Sequence, residues 1–426
     1  MSFEVQGFFN PHLAVGARRT DAVLTITCNT ESAPSAEVAV AFIVDVSGSM
    51  GENGKMDYTK LALRHTLDQL PESIQFCIVT FHSDARVVVP MTRATRQAIA
   101  AAHKAVQGLV PSGSTAMSNA LEAVHAEFEK VGRDAIKISK MLTDGKNDTD
   151  DKSDLNRALK ACQGFFQCDT RGIGADWRPD DLRHIASTLL GTADAVGQGD
   201  ALAQDFKQTL DSAVSKGVSN AVLRLWAPAT ATILSVKQVM PAIEDLTKAG
   251  RQFDPKTLDF PLGAWGSESR DYHVSIELPE GAAGTEMLAC RPSVVFKQDG
   301  NETKVAGPNI VAVWSADDAL TTRINSQVAH YTGQAELAES IQEGLEAKAR
   351  GDIDQATRLL GKAVKIAAET GNDEVTRRLH QVVDVENVQQ GTVRIKRTIN
   401  KEADLALEMG GTRTVRRRTV TSGTSA

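Results

Sequence analysis

Residues 38–50 constrain this chain more than any other stretch. Val38, Val40, Phe42, Ile43 and Val44 form an apolar run that is too short for a helix and rich in β-branched residues, which predicts a buried strand. The run stops on Asp45. Ser47 and Ser49 follow at alternate positions, and Gly48 between them lets the backbone turn so that the three oxygen side chains converge. Open α/β sheets bind their ligands outside the carboxyl ends of their strands. One carboxylate and two hydroxyls at such a place suit a hard cation such as Mg²⁺.

The segment Asp45-Val46-Ser47-Gly48-Ser49-Met50 resembles the first motif of von Willebrand factor A (VWA) domains, the metal-ion-dependent adhesion site (MIDAS). Two further pieces of that pattern follow in order: a threonine in a Gly-rich loop, Gly113-Ser114-Thr115, and an aspartate after a later strand, Leu142-Thr143-Asp144-Gly145. The resemblance covers residues 38–195. It implies a doubly wound parallel α/β sheet in which Ser47, Ser49 and Thr115 touch a divalent ion (Mg²⁺, or Mn²⁺ or Ca²⁺). Asp45 and Asp144 would act largely through water. It further implies a non-catalytic module that captures an acidic side chain of a partner protein. Cytoplasmic relatives of this bacterial type suggest a scaffold in a stress-response or kinase-linked complex, with an AAA+ ATPase as one candidate partner. No Gly-x-x-x-x-Gly-Lys-Ser/Thr loop occurs in the chain, so any ATPase would be a separate protein.

Rival readings are weaker on the residues. A haloacid-dehalogenase phosphatase also begins with an Asp at the end of a strand, but it wants a second Asp where this chain has Ser47. Neither Ser47 nor Ser49 sits in a Gly-x-Ser-x-Gly elbow. An Asx-turn at Asp45 would leave Thr115 and Asp144 unexplained. A metal-dependent hydrolase is the alternative function. It needs a general base, and Asp148, Asp150 and Asp151 are the nearby candidates.

At 426 residues, two or three domains are expected. The formal net charge of −7 gives the body no nucleic-acid footprint. The five cysteines are scattered and odd in number, which suits a reducing compartment. No basic region followed by an apolar core opens the chain, so no signal peptide is expected. No apolar run reaches the roughly 18 residues of a membrane span. A cytoplasmic protein is expected.

Five regions follow from the pattern along the chain. Residues 1–37 carry orphan strands that must pair elsewhere, since two strands cannot fold alone. Residues 38–199 alternate strand and helix, with Leu61, Leu63, Leu67 and Leu70 on the buried side of a helix at 56–70 and Ser118 capping another. Residues 200–318 read as an antiparallel β-sandwich that the N-terminal strands complete, which makes the α/β domain an insertion. Residues 319–387 are helical and resemble a tetratricopeptide hairpin, with a capping bundle as the plainer reading. Residues 388–426 read as a basic flexible tail. Within it Thr412, Thr414 and Thr419, set among Arg413, Arg416, Arg417 and Arg418, are candidate phosphorylation sites for a basophilic kinase, with a forkhead-associated-domain protein as reader. Four arginines beside an acidic body do not argue for nucleic acid.

Overall fold

The computed structural model describes residues 2–29, 37–148, 152–298, 301–396 and 400–416. The chain opens with β1 (Ser2–Phe9), β2 (His12–Ala14) and β3 (Arg19–Asn29). An α/β domain follows: β4 (Val38–Asp45), a 3-10 turn (Gly48–Gly51), α1 (Lys55–Leu67), β5 (Gln75–Phe81), β6 (Ala85–Arg93), α2 (Arg96–Gln107), α3 (Met117–Phe128), β7 (Ile136–Thr143), α4 (Lys152–Cys162), β8 (Gln167–Ile173), α5 (Pro179–Thr188), β9 (Ala193–Val196) and α6 (Asp200–Ser215). Its sheet has the order β6-β5-β4-β7-β8-β9 and is parallel except for the edge strand β6.

All of β4 is buried, and its side chains alternate between two layers. Val38, Val40, Phe42 and Val44 join the core that includes Leu63 and Phe206. Ala39, Ala41 and Ile43 join the core with Leu121, Val124 and Phe128. A strand buried on both faces reads as a continuous apolar run, as this one does. Because β4 pairs with β5 on one side and β7 on the other, the chain reverses its winding direction at the carboxyl end of β4. That is where such sheets bind ligands.

Several local expectations need correction. Of the four leucines expected on the buried side, Leu63, Leu67 and Leu70 are buried, but Leu61 is 48% exposed. A proline is expected to end the edge strand at Pro90, but β6 continues through it to Arg93, which an edge strand tolerates because one side of its backbone is unpaired. The N-cap of α3 is Ala116, not Ser118, and the Met117 amide donates to Asn147 Oδ1 at 3.0 Å. Helix α6 stays on the α/β domain, with Phe206 stacked on Phe42 at 5.8 Å, so the boundary lies at Ser215 rather than at 199.

Beyond it come β10 (Lys216–Trp226), β11 (Thr232–Met240), β12 (Glu244–Asp245), β13 (Arg251–Asp254), β14 (Thr257–Gly266), β15 (Glu268–Glu277), β16 (Glu286–Gln298), β17 (Asn301–Ala306) and β18 (Ile310–Ser315). They form two sheets, β1-β3-β15-β11-β12 and β13-β14-β10-β16-β18-β2, with β17 on β16. A common core holds Phe3, Leu24, Trp265, Tyr272, Phe296 and Trp314. Strand β3 finds its missing partner in β15, with Cys28 opposite Glu268. The α/β domain therefore lies between strands of this β unit in the sequence.

The junction between the two units carries charge. Lys216 Nζ lies 2.6 Å and Arg270 Nη2 2.9 Å from Glu268 Oε1. Burial alone would raise the Glu268 pKa; Arg270 and Lys216 outweigh it and hold the carboxyl at about 2 against an ordinary 4.5. A depressed carboxylate pKa adds stability that is fully present above the unfolded value and is lost as pH falls through the folded one. Discounted for partial exposure, this contribution is on the order of 2 kcal/mol. Urea denaturation of wild type and Glu268→Gln should show that gap at neutral pH, closing between about pH 4.5 and 2. A gap that stays constant through that range would contradict the assignment.

The C-terminal region contains α7 (Asp318–Thr321), α8 (Ser326–Ala349), α9 (Ile353–Thr370), α10 (Asp373–Val382), a hairpin of β19 (Val383–Asn387) and β20 (Thr392–Ile395), and α11 (Lys401–Gly410). Helices α8 and α9 pack against each other through Leu337, Ile341, Leu360 and Val364. The expectation of a flexible tail from 388 is wrong for its described part. Ala403, Leu407 and Met409 of α11 are buried, and Met409 enters the α/β core. Beyond α11, Ile243 N donates to Thr412 O at 2.8 Å and Thr414 N to Pro241 O at 2.9 Å. Composition misled because Gly, Ser, Thr and Arg dominate only the last stretch, whereas residues 401–410 carry apolar side chains at helical spacing.

Candidate metal centre

Asp45 ends β4, Ser47 and Ser49 lie in the turn that follows, Asp144 comes directly after β7, and Thr115 precedes α3. The structure brings these elements to one edge of the sheet. Ser47 Oγ and Ser49 Oγ are 3.2 Å apart. Both donate to Asp144 Oδ1, at 3.4 and 2.7 Å respectively. Asp45 is fully buried and held from two sides: Ser47 N donates to its Oδ1 at 2.7 Å, and the Thr143 hydroxyl to its Oδ2 at 2.5 Å. Burial pushes the Asp45 carboxyl up to about 6, against the lowering effect of those hydrogen bonds.

Thr115 reaches the same place because the backbone there is stitched together. Gly48 N donates to Gly113 O at 3.0 Å and Ser112 N to Val46 O at 2.7 Å. Gly113 takes φ +78°, the left-handed region that glycine enters without steric cost. A Cβ on Gly145 would lie only 2.8 Å from Thr115 Oγ1 and 3.7 Å from Asp45 Oδ2. Glycine at 145 is thus what lets the threonine hydroxyl come close to the carboxylate.

Every donor in this set is a hard oxygen, three of the five are neutral hydroxyls, and the glycines leave the cradle clear. Such a set suits hard cations and offers a soft one nothing. Among the described residues, no group of three or more His, Cys, Asp or Glu side chains is placed to hold a metal ion; this set has two carboxylates and relies on hydroxyls.

The remaining candidates from the sequence lie apart. Asp148 is largely exposed and faces Arg178 at 3.6 Å; Asp150 and Asp151 lie outside the described residues. Thr414 is 8% exposed, and its hydroxyl donates to Val239 O at 2.6 Å. Thr412 donates to Met409 O at 3.2 Å. A kinase cannot reach these two as parts of an unfolded segment, and Thr419 lies outside the described residues. Sequence reading missed three residues of the site. Thr143 and Gly145 flank the expected Asp144, so their signal was adjacency. Lys55 carried a different one: a basic residue in the first turn of a helix, where the dipole disfavours positive charge.

A doubly wound α/β domain that gathers serine, threonine and aspartate oxygens at its switch point belongs to the A-domain class. Residues 38–195 match the family model described as von Willebrand factor type A domain, and residues 365–411 match the von Willebrand factor type A C-terminal domain. The chain belongs to the von Willebrand factor type A family. It is 40% identical to a solved von Willebrand factor type A protein from Catenulispora acidiphila, covering 97% of both chains with a TM-score of 0.90. The ArnB paralog VWA2 from Sulfolobus acidocaldarius, 14% identical over 97% of this chain and 98% of its own, shares the fold at a TM-score of 0.56. The uncharacterized protein sll0103 of Synechocystis sp. is 28% identical over 215 residues, 49% of this chain. The chain spans about half the length of that curated relative, 50%.

Proposed function

We propose that this chain is a non-catalytic interaction module that captures an acidic side chain of a partner protein through a divalent cation, Mg²⁺ or else Mn²⁺ or Ca²⁺, at a MIDAS formed by Asp45, Ser47, Ser49, Thr115 and Asp144. The observation that carries the reading is the meeting of Ser47, Ser49 and Asp144 within hydrogen-bond distance at the switch point of the sheet. Its family is a general protein-interaction family.

The residues divide the work. The Ser47, Ser49 and Thr115 hydroxyls present neutral lone pairs, and Thr143 and the Ser47 amide hold Asp45 beneath them. Neutral donors compensate little of an ion's charge, and a bound divalent ion supplies an electrophile with a position open to an external carboxylate. Asp148, the described candidate for a hydrolytic base, is instead exposed beside Arg178. A cytoplasmic scaffold working beside an AAA+ ATPase in a stress-response or kinase-linked complex is the setting we favour. A forkhead-associated-domain reader of Thr412 or Thr414 loses its premise, because those threonines are docked. No described helix is long and apolar enough to cross a membrane.

The test is a Mn²⁺ titration of wild type and Asp45→Ala, followed by capture of partners with Mg²⁺ or with chelator. One ion per chain is expected in wild type, with at least about tenfold weaker binding in the variant and partner capture lost in chelator. Equal Mn²⁺ binding by the two proteins would refute the site.

A further inference from the structure

Lys55 is buried, 3% exposed, and its ammonium forms an ion pair with Asp144 Oδ2 at 2.6 Å. It also reaches Ser49 O at 3.4 Å. Two features make this placement costly. A buried ammonium loses its hydration, and a cation in the first turn of a helix opposes the helix dipole. Lys55 is the first residue of α1 and bears both costs. The fold also keeps a path open for it. Gly174, at φ +75°, would place a Cβ 3.2 Å from Lys55 Cε and 3.5 Å from Nζ. A Cβ there would press on the lysine stem and ask it to shift by a few tenths of an ångström.

We propose that Lys55 is a tethered counter-cation that sets the charge of the metal site, weakening the binding of a divalent ion alone and making it depend on the arriving carboxylate. This rests on the metal-site reading given above. Asp45 and Asp144 carry two formal negative charges, and Lys55 cancels one of them. A divalent ion then leaves the site with one net positive charge, which a partner's carboxylate neutralises. Without Lys55 the ion would be neutralised by the two aspartates, held more tightly, and left with less attraction for an acidic ligand. Ion and carboxylate are therefore coupled: each strengthens the binding of the other by the same factor.

The experiment titrates Mn²⁺ into wild type, Lys55→Gln, Lys55→Met and Asp45→Ala, reading free Mn²⁺ by electron paramagnetic resonance, with sodium acetate or sodium chloride at matched ionic strength. Gln keeps an N–H donor for Asp144 without the charge, and circular dichroism checks that each variant is folded. Both Lys55 variants should bind Mn²⁺ at least about tenfold more tightly than wild type. Acetate should tighten Mn²⁺ binding in wild type more than in Lys55→Gln. Equal or weaker binding by Lys55→Gln, with wild type still binding and Asp45→Ala not, would overturn the role of Lys55 and leave the metal site standing. Failure of every protein to bind Mn²⁺ would strike down the metal reading itself, and this inference with it.

Discussion

Asp194→Ala should release the C-terminal helices from the α/β domain. Asp194 lies on β9, its side chain 5% exposed, and receives Arg378 at 2.8 Å as well as Arg413. Arg378 also donates to Ala406 O at 2.6 Å and pairs with Glu374 at 2.8 Å. Removing Asp194 would leave both guanidinium groups to share Glu374 alone, which lies 2.8 Å from Arg378 and 3.0 Å from Arg413 and is more exposed than Asp194. Breaking a buried pair from one side costs about 3–5 kcal/mol. Limited proteolysis should then cut near α10 and α11 in the variant while wild type resists. Unchanged protection of that region would show that the apolar contacts of Leu405 and Met409 with the α/β core suffice without the ion pairs.

Phe42→Ala should be comparably damaging by a different route. The ring is fully buried, 0% exposed, and stacks on Phe206 with 23° between planes. Truncating a core phenylalanine costs about 3–5 kcal/mol through lost burial and the cavity left behind. Urea denaturation should show a midpoint shifted well below wild type. Asp45→Ala, three residues along the same strand, should cost much less, because burial already disfavours its ionised carboxyl. A Phe42→Ala midpoint close to wild type would mean that α6 collapses onto the sheet to fill the space.

How much of this was legible in the sequence varied with the kind of signal. Strand β4 and the three motif pieces were readable because a doubly buried strand needs an unbroken apolar run and a hydroxyl-rich site needs fixed residue types. That the strands of residues 1–37 would join the later β unit was readable from their unpaired backbone groups; that β3 pairs with β15 in particular was not. Strand β14 was not, because Pro261 and Gly263 look like loop residues; in the structure they face β10 across register shifts. Helix α11 was hidden by the basic stretch after it. Lys55 escaped notice because a lysine at a helix start is ordinarily solvated, and only the tertiary fold carries it beneath Ser49 to Asp144.

The placement of the α/β domain between β3 and β10 has a consequence for how the chain reaches its fold. Strand β3 enters one sheet of the β unit and β10 enters the other, so those sheets cannot close until both ends of the insert are near each other. In an unfolded chain that closure spans the whole insert and carries its loop entropy. Once the α/β domain has folded, the same two ends are held by a compact body and the effective loop is short. The parallel sheet therefore acts as an internal template for a β unit whose own contacts are far apart in sequence. Lesions in β4 should slow the assembly of strands they never touch.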